Sequence, residues 1–489
     1  MRKPYSASMD RFDRQLRLWG GLGHKCLAGA KICLVTESRN EPLLLELQRH
    51  LLLAGVSRFM IFSHTQKAVP NTDQGGGFAF INETEELESL NPQTHLEWDV
   101  FSWSELQQQS FRDVSVVLVL NCKNANYLPE LTAKRQSSAL FPPVLLAGVD
   151  WPLAYSYLWL KEPHIVLSAN PEYTVPDLRL TEPWPELLQY MDSLDLTVLR
   201  ADQLAEVPYP VILFKALQMT SRDDEIYPLL QSIDQYYLSL SSEGTNDPNF
   251  RQTKRSARQA ISSAATCRER VSVLLARLQK NWLLQDWHSH VNMLIATLCK
   301  ALALYLDTYQ QIPLPGGGFP DMEAGTKPYN ELRAIYSKKS LQDRQALKQL
   351  LAQLGAYDFP EEVLEKFCEN INHWTIIEPV AGVKHDLIPE IFCSGAASEL
   401  TIHGELFAKM SVNELPVVQK LLKLIQRSHN SNGSTNTGTN TLSNSFPATA
   451  FLGGVLSQEV IKLVTHQYVP IDNTFIYDML ADESFTLKI

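Results

Sequence analysis

Hydrophobic positions along the chain change rhythm more than once. Up to Trp159 they come in short blocks. Residues 31–36 (Lys-Ile-Cys-Leu-Val-Thr), 58–63 (Arg-Phe-Met-Ile-Phe-Ser), 114–120, 144–149 and the tryptophan- and tyrosine-rich stretch through Trp159 each read as a buried strand. Between the first two blocks, residues 41–53 carry leucines at helical spacing, which makes a βαβ unit and predicts a parallel, doubly wound sheet. From about residue 187 to 427 the spacing lengthens to threes and fours, with candidate helices at 260–278, 288–309, 341–354 and 412–425. Residues 428–445, rich in serine, asparagine and threonine, read as a flexible linker. Residues 446–462 follow as a buried helix whose Gly453-Gly454 pair allows close packing, and 473–477 as a returning strand. The resulting plan is an α/β domain in two parts, 1–186 and 446–489, split by a helical insertion at 187–427 and a linker at 428–445.

Composition narrows the class. With 45% hydrophobic and 20% charged residues the 489-residue chain has ordinary globular material for two or three domains. A formal net charge of −11 argues against binding nucleic acid or an anionic membrane. The apolar runs are short and broken by charge or proline, so neither a membrane span nor a secretory signal is read, and a cytoplasmic or nuclear location is expected. Seven scattered cysteines, none in a Cys-x-x-Cys pair, predict reduced, packed thiols and no structural zinc. Asp286, His288 and His290 lie close in sequence, but no further ligand pattern supports a metal site there.

The most particular stretch is residues 12–20, Phe-Asp-Arg-Gln-Leu-Arg-Leu-Trp-Gly. Phe12, Leu16 and Trp19 form an apolar stripe, Asp13, Arg14 and Arg17 lie off it, and Gly20 and Gly21 should end the helix. As residue types alone, this is a surface helix with solvated arginines. The wording, however, resembles the Tyr-Asp-Arg-Gln-Leu-Arg-Leu-Trp-Gly signature near the start of subunits that activate ubiquitin-like modifiers, with Phe12 replacing tyrosine. That resemblance implies a Rossmann-like, ThiF-type adenylation domain in which Arg14 reaches across a dimer to ATP held by the other subunit. It also places Gln15, Arg17 and Trp19 at the partner interface.

A nucleotide site in such a sheet needs a glycine-rich turn after the first strand, because only glycine lets backbone approach phosphate closely. Here the turn is Glu37-Ser38-Arg39-Asn40-Glu41-Pro42, without glycine and with two carboxylates. Where active relatives carry aspartates at the ends of two later strands, this chain has Ser63-His64 and Asn121-Cys122. The expectation is a degenerate fold that binds no cofactor itself.

Asp177-Leu178-Arg179-Leu180 with Pro183-Trp184-Pro185-Glu186-Leu187, the 312–322 segment ending Pro320-Asp321-Met322, and the run from Ala450 to Lys462 resemble the regulatory subunit of the Rub/Nedd-type activating enzyme. Arg179 could also be a plain surface or hinge contact. The resemblance implies a heterodimer whose catalytic subunit holds ATP and Mg²⁺, adenylates the C-terminus of a Rub/Nedd-type modifier, and carries the thioester cysteine, for transfer to cullins. A conjugating enzyme is a further implied partner. In that family the helical insertion corresponds to the catalytic-cysteine domain without its nucleophile. The competing readings are the regulatory subunit for the SUMO-type modifier and a free-standing sulfur-carrier adenylyltransferase.

Overall fold

The computed structural model describes residues 12–38, 41–65, 89–91, 95–100, 110–121, 127–138, 140–150, 153–169, 176–219, 226–240, 247–261, 264–279, 290–316, 318–379 and 440–488. The chain divides into two compact units. One comprises Met1–Val166, Asp286–Met293 and Ile376–Ile489; the other comprises Leu167–Gln285 and Leu294–Thr375.

The first unit begins with α1 (Asp13–Gly29), β1 (Lys31–Ser38), α2 (Pro42–Ala54), β2 (Arg58–Thr65), β3 (His95–Val100), β4 (Val116–Leu120), α3 (Tyr127–Ser137), β5 (Val144–Asp150), β6 (Leu153–Trp159) and β7 (His164–Val166). The main sheet has eight strands among the described residues; with β9 (Thr474–Asp478) and β10 (Glu483–Leu487) from the end of the chain, the order is β10-β9-β6-β5-β4-β1-β2-β3. From β3 through β2, β1 and β4 to β5 every pairing is parallel, the doubly wound arrangement, with the order reversing between β1 and β4. Beyond β5 the pairings are antiparallel, so the sheet is mixed rather than parallel throughout. The cause is connection length: two residues separate β5 from β6, too few for a crossover helix, and the chain must fold straight back. The leucines of α2 explain its place, since Leu43, Leu44, Leu47, Leu51 and Leu52 are all fully buried.

The second unit contributes α4 (Pro185–Ser193), α5 (Ala201–Ala205), α6 (Tyr209–Gln218), α7 (Ile226–Leu240), α8 (Pro248–Ile261), α9 (Ala264–Gln279), most of α10 (His290–Tyr309), α11 (Thr326–Gln353) and α12 (Glu361–Glu369). The expected helix at 260–278 is two helices, α8 and α9, and that at 341–354 is the end of the longer α11; the one at 412–425 lies outside the described residues. α10 is long and apolar enough to cross a membrane by length and composition, but Ile295, Leu298, Cys299, Leu302 and Tyr305 on it are buried in protein. The unit begins at Leu167 rather than at 187 because Leu178, Leu180 and Trp184 share a core with Tyr209, Ile212, Leu332 and Tyr336.

That core is held by a small polar frame. Arg179, backbone φ 48°, pairs with Asp177 at 3.2 Å and donates to the Ile312 carbonyl at 2.7 Å. Asp343, also buried, accepts from Tyr305 Oη at 2.8 Å and from the Leu314 amide at 2.9 Å. The proline- and glycine-rich segment is thus clamped at its entry by two buried charges. At its exit, Asp321 accepts the Tyr209 amide at 3.0 Å, capping the start of α6 from a distant part of the chain, and also the Ala324 amide.

β8 (Thr375–Ile377) pairs with β7 in a separate two-stranded sheet, and α13 (Asn440–Thr465), β9 (Thr474–Asp478) and β10 (Glu483–Leu487) complete the first unit. Of the expected linker, 428–439 lie outside the described residues, while 440–445 form the first turns of α13. Polarity there forbids a core, not a helix that a buried continuation propagates. Against α2, a Cβ on Gly453 would meet Glu46 Cβ at 3.1 Å, whereas Gly454 faces open space, so only the first of the pair serves close packing.

Candidate functional site

The first element of the site is α1. Its stripe docks as the spacing predicts. Trp19 is buried, edge-on to Tyr468 with ring centroids 5.7 Å apart, and its carbonyl accepts from Gln467 Nε2 at 2.8 Å; Phe12 packs on His24 at 5.0 Å. Gly20 has φ 69° and ψ 179°, a conformation essentially reserved for glycine, and it breaks the helix sharply. The chain does not leave the helix at Gly21, however, and a second helical stretch runs on to Gly29. The segment carrying the arginines is therefore aimed separately from the segment that follows.

Around that anchor the predicted residues separate. Arg14 is exposed and makes no hydrogen bond or ion pair among the described residues. Arg17 is exposed and pairs with Asp13 at 2.9 Å, an i,i+4 surface pair. Gln15 spends its amide on the Leu53 carbonyl at 2.9 Å, tying α1 to α2. Trp19 is an internal anchor within its own unit, not an exposed side chain. Leu18, 60% exposed, was not singled out by the apolar stripe, although its spacing of four places it on the face of Arg14, and an apolar residue there was the available signal.

The second element is the crevice at the carboxyl ends of β1 and β4, where a doubly wound sheet binds its ligand. Asn121, at the end of β4 with φ 48°, donates Nδ2 to Glu41 Oε1 at 2.5 Å and accepts the Val149 amide at 2.6 Å. Glu41 stands at the start of α2, with Pro42 in the first turn. The carboxylate of this N-cap residue makes no bond to the helix amides and is held by Asn121, which also fastens β4 to β5, so a negative charge stands beside the helix end that would face a phosphate. These residues do not fit a nucleotide: a triphosphate would meet a carboxylate held in place by a hydrogen bond. Ser63 is fully buried at the end of β2, and the side chain of His64 lies outside the described residues.

Comparison with known proteins places this geometry in a family. The chain is 31% identical to the NEDD8-activating enzyme E1 regulatory subunit of Saccharomyces cerevisiae over 493 residues, covering 98% of this chain and all of that one. It belongs to the NEDD8-activating enzyme E1 regulatory subunits. The family member of Caenorhabditis elegans is 24% identical, with 98% of each chain covered, and the Arabidopsis thaliana member AXL is 23% identical, with 98% of this chain and 99% of that one covered. No family model matches the chain. Among solved structures, Escherichia coli MccB is 14% identical and covers 31% of this chain and 45% of its own, with a TM-score of 0.25. The mixed sheet, with Glu41 held at the ends of β1 and β4, and the helical second unit are thus the form taken by this regulatory subunit.

Of the described cysteines, Cys33, Cys299 and Cys368 are buried, while Cys26 and Cys267 are half-buried. Cys33 and Cys299 are fully buried, and burial drives both thiols upward; burial raises Cys368 to about 12. Thiols so raised are poor nucleophiles at neutral pH. Cys122 and Cys393 lie outside the described residues. Asp286 and His288 do too, and among the described residues no group of three or more His, Cys, Asp or Glu is placed to hold a metal ion.

Proposed function

We propose that this regulatory subunit completes the adenylation site of a catalytic partner by lending it Arg14. As the family name says, the chain is one subunit of an activating enzyme, and a catalytic subunit is its counterpart. The partner holds ATP and Mg²⁺ and the C-terminus of a Rub/Nedd-type modifier destined for cullins, in the cytoplasm or nucleus, and hands the loaded modifier to a conjugating enzyme. ATP supplies the activating phosphoryl chemistry there. This chain supplies a permanent, planar cation that follows phosphate oxygens without losing its charge in a dry cleft. Gln15 and Trp19 fix the helix that carries it, and Arg17, paired with Asp13, meets the partner at the same interface.

One observation carries the reading: a cation with no partner among the described residues projects from a firmly seated helix, while the crevice of the same chain is occupied by Glu41. The test is Arg14→Ala in the assembled heterodimer, read by ATP–pyrophosphate exchange. The expected result is a rate lower by about 10²-fold, the scale for removing one donor that stabilises developing charge, with assembly unchanged in size-exclusion chromatography. Exchange at the wild-type rate would remove the role. Arg17→Ala, which breaks only a solvated pair, should cost far less.

A further inference from the structure

At the opposite end of the first unit, where the parallel strands begin, lies a cavity of about 390 Å³. Its floor is the residues just before β1, β4 and β5, including Ala30, Ser115 and Pro143, and its walls come from α1, α10 and α13. The volume is that of a small-molecule pocket. It is remote from Glu41, which sits at the other ends of the same strands.

The lining has two characters. Phe141, Leu160, Val291 and Leu463 give it an apolar body. Against this stand three cations, Lys25, Arg112 and Lys161, in a chain whose net charge is −11. Two carboxylates also line it. Asp113 is matched by Lys31 at 3.2 Å. Burial and then the nearby Arg135 lower the Lys161 ammonium from its usual value, and Glu162 offsets part of that. Arg112 is exposed and has no hydrogen bond or ion pair among the described residues. Lys161 is fixed by the Arg135 carbonyl at 2.6 Å and by that of Ser138, while Arg135 itself lies over Trp159 at 4.4 Å. These contacts use two of the three protons of the lysine.

The deciding group is His164. It is 2% exposed, it lines the cavity, and its Nε2 is buried with no hydrogen-bond partner. A buried polar atom left in that state costs about 1–3 kcal/mol unless something in the cavity satisfies it. Its neighbour cannot: His466 stacks on it at 4.6 Å and turns Nδ1 to the Ile165 carbonyl at 2.7 Å.

We propose that this cavity binds a small amphipathic organic anion, with its apolar body among Phe141, Leu160 and Leu463, its acidic group toward Arg112 and Lys161, and a polar atom on His164 Nε2. The probe is 8-anilinonaphthalene-1-sulfonate, titrated into the full-length folded chain and followed by fluorescence, beside N-phenyl-1-naphthylamine, which has the same rings and no sulfonate. Saturation at one equivalent is expected, with the neutral analogue bound at least tenfold more weakly. Arg112→Gln, an exposed change that leaves the fold alone, should weaken the sulfonate about tenfold and the neutral compound little. His164→Phe should weaken it further by removing the ring nitrogen. The proposal falls if there is no saturation at one equivalent, if both compounds bind equally, or if Arg112→Gln binds like the wild type.

Discussion

Arg179 shows how much one side chain can fasten. Its side chain and that of Asp177 are 1% and 4% exposed, and it bonds a carbonyl 133 residues away at the mouth of the 312–322 segment. Arg179→Ala would leave the Asp177 carboxylate buried without its counter-charge, a loss of about 3–5 kcal/mol. Urea unfolding of the full chain should therefore show a much lower midpoint for Arg179→Ala, and Asp177→Asn with Arg179→Met should recover part of it by removing both charges. A midpoint within experimental error of wild type would mean that the pair contributes nothing. The motif around Arg179 was legible in the sequence, and its role was not: nothing local in Asp-Leu-Arg-Leu reveals that its guanidinium meets Ile312, because the partner is a backbone carbonyl, which carries no sequence signature. Asn121 differs. The loss of an aspartate there could be read directly, but its internal bond to Glu41 depends on the left-handed backbone of Asn121, just past the end of β4.

At the scale of elements, the break at Gly20 is where the proposed function is most exposed to the backbone. A Cβ there would meet nothing within 4 Å, so the objection to alanine is purely conformational. At φ 69° and ψ 179° that conformation costs a non-glycine residue about 1–3 kcal/mol. Gly20→Ala should relieve part of the cost by shifting the stretch before the break relative to the one after it, straining the contacts of Gln15 and Trp19 that seat the arginines. The expected outcome is a modest fall in stability together with a fall in ATP–pyrophosphate exchange by the heterodimer, though Arg14 itself is untouched. Full exchange would show that the aim of the helix is unimportant. The apolar stripe located this helix and Gly20 marked its break, since both are short-range signals. The continuation to Gly29 was missed because glycine reads as a stop, although it can equally join two helical stretches. Likewise β3 carries only a weak signal: His-Leu-Glu-Trp-Asp-Val alternates with charge on one side, the pattern of an edge strand.

For the molecule as a whole, pH is the variable that reaches its centre, because His164 and His466 are buried face to face in the first unit. Burial pushes His466 down to about 4, despite the Ile165 carbonyl, and burial followed by the proximity of His466 holds His164 well below its usual value. A histidine with a lowered folded value is neutral in both states above pH 6.5 and costs nothing there. Below pH 6.5 the unfolded chain takes up the proton and the folded one does not, so stability is lost as pH falls from 6.5 toward 4. For His466 alone the loss is about 1.4 kcal/mol by pH 5.5 and about 3 kcal/mol by pH 4, and His164 adds to it in the same direction. The opposing effect, relief of self-repulsion in a chain of net charge −11, is weak because those charges are spread over the surface and screened. Urea midpoints measured at pH 7.5 and 5.5 should therefore fall toward acid, and His164→Phe, which keeps the ring stack and removes one titrating group, should fall less than wild type over the same interval. Carboxylates titrate mainly below pH 5.5, so the difference between the two proteins isolates the histidine contribution. Equal declines would show that His164 is already protonated, or wet, in the folded molecule.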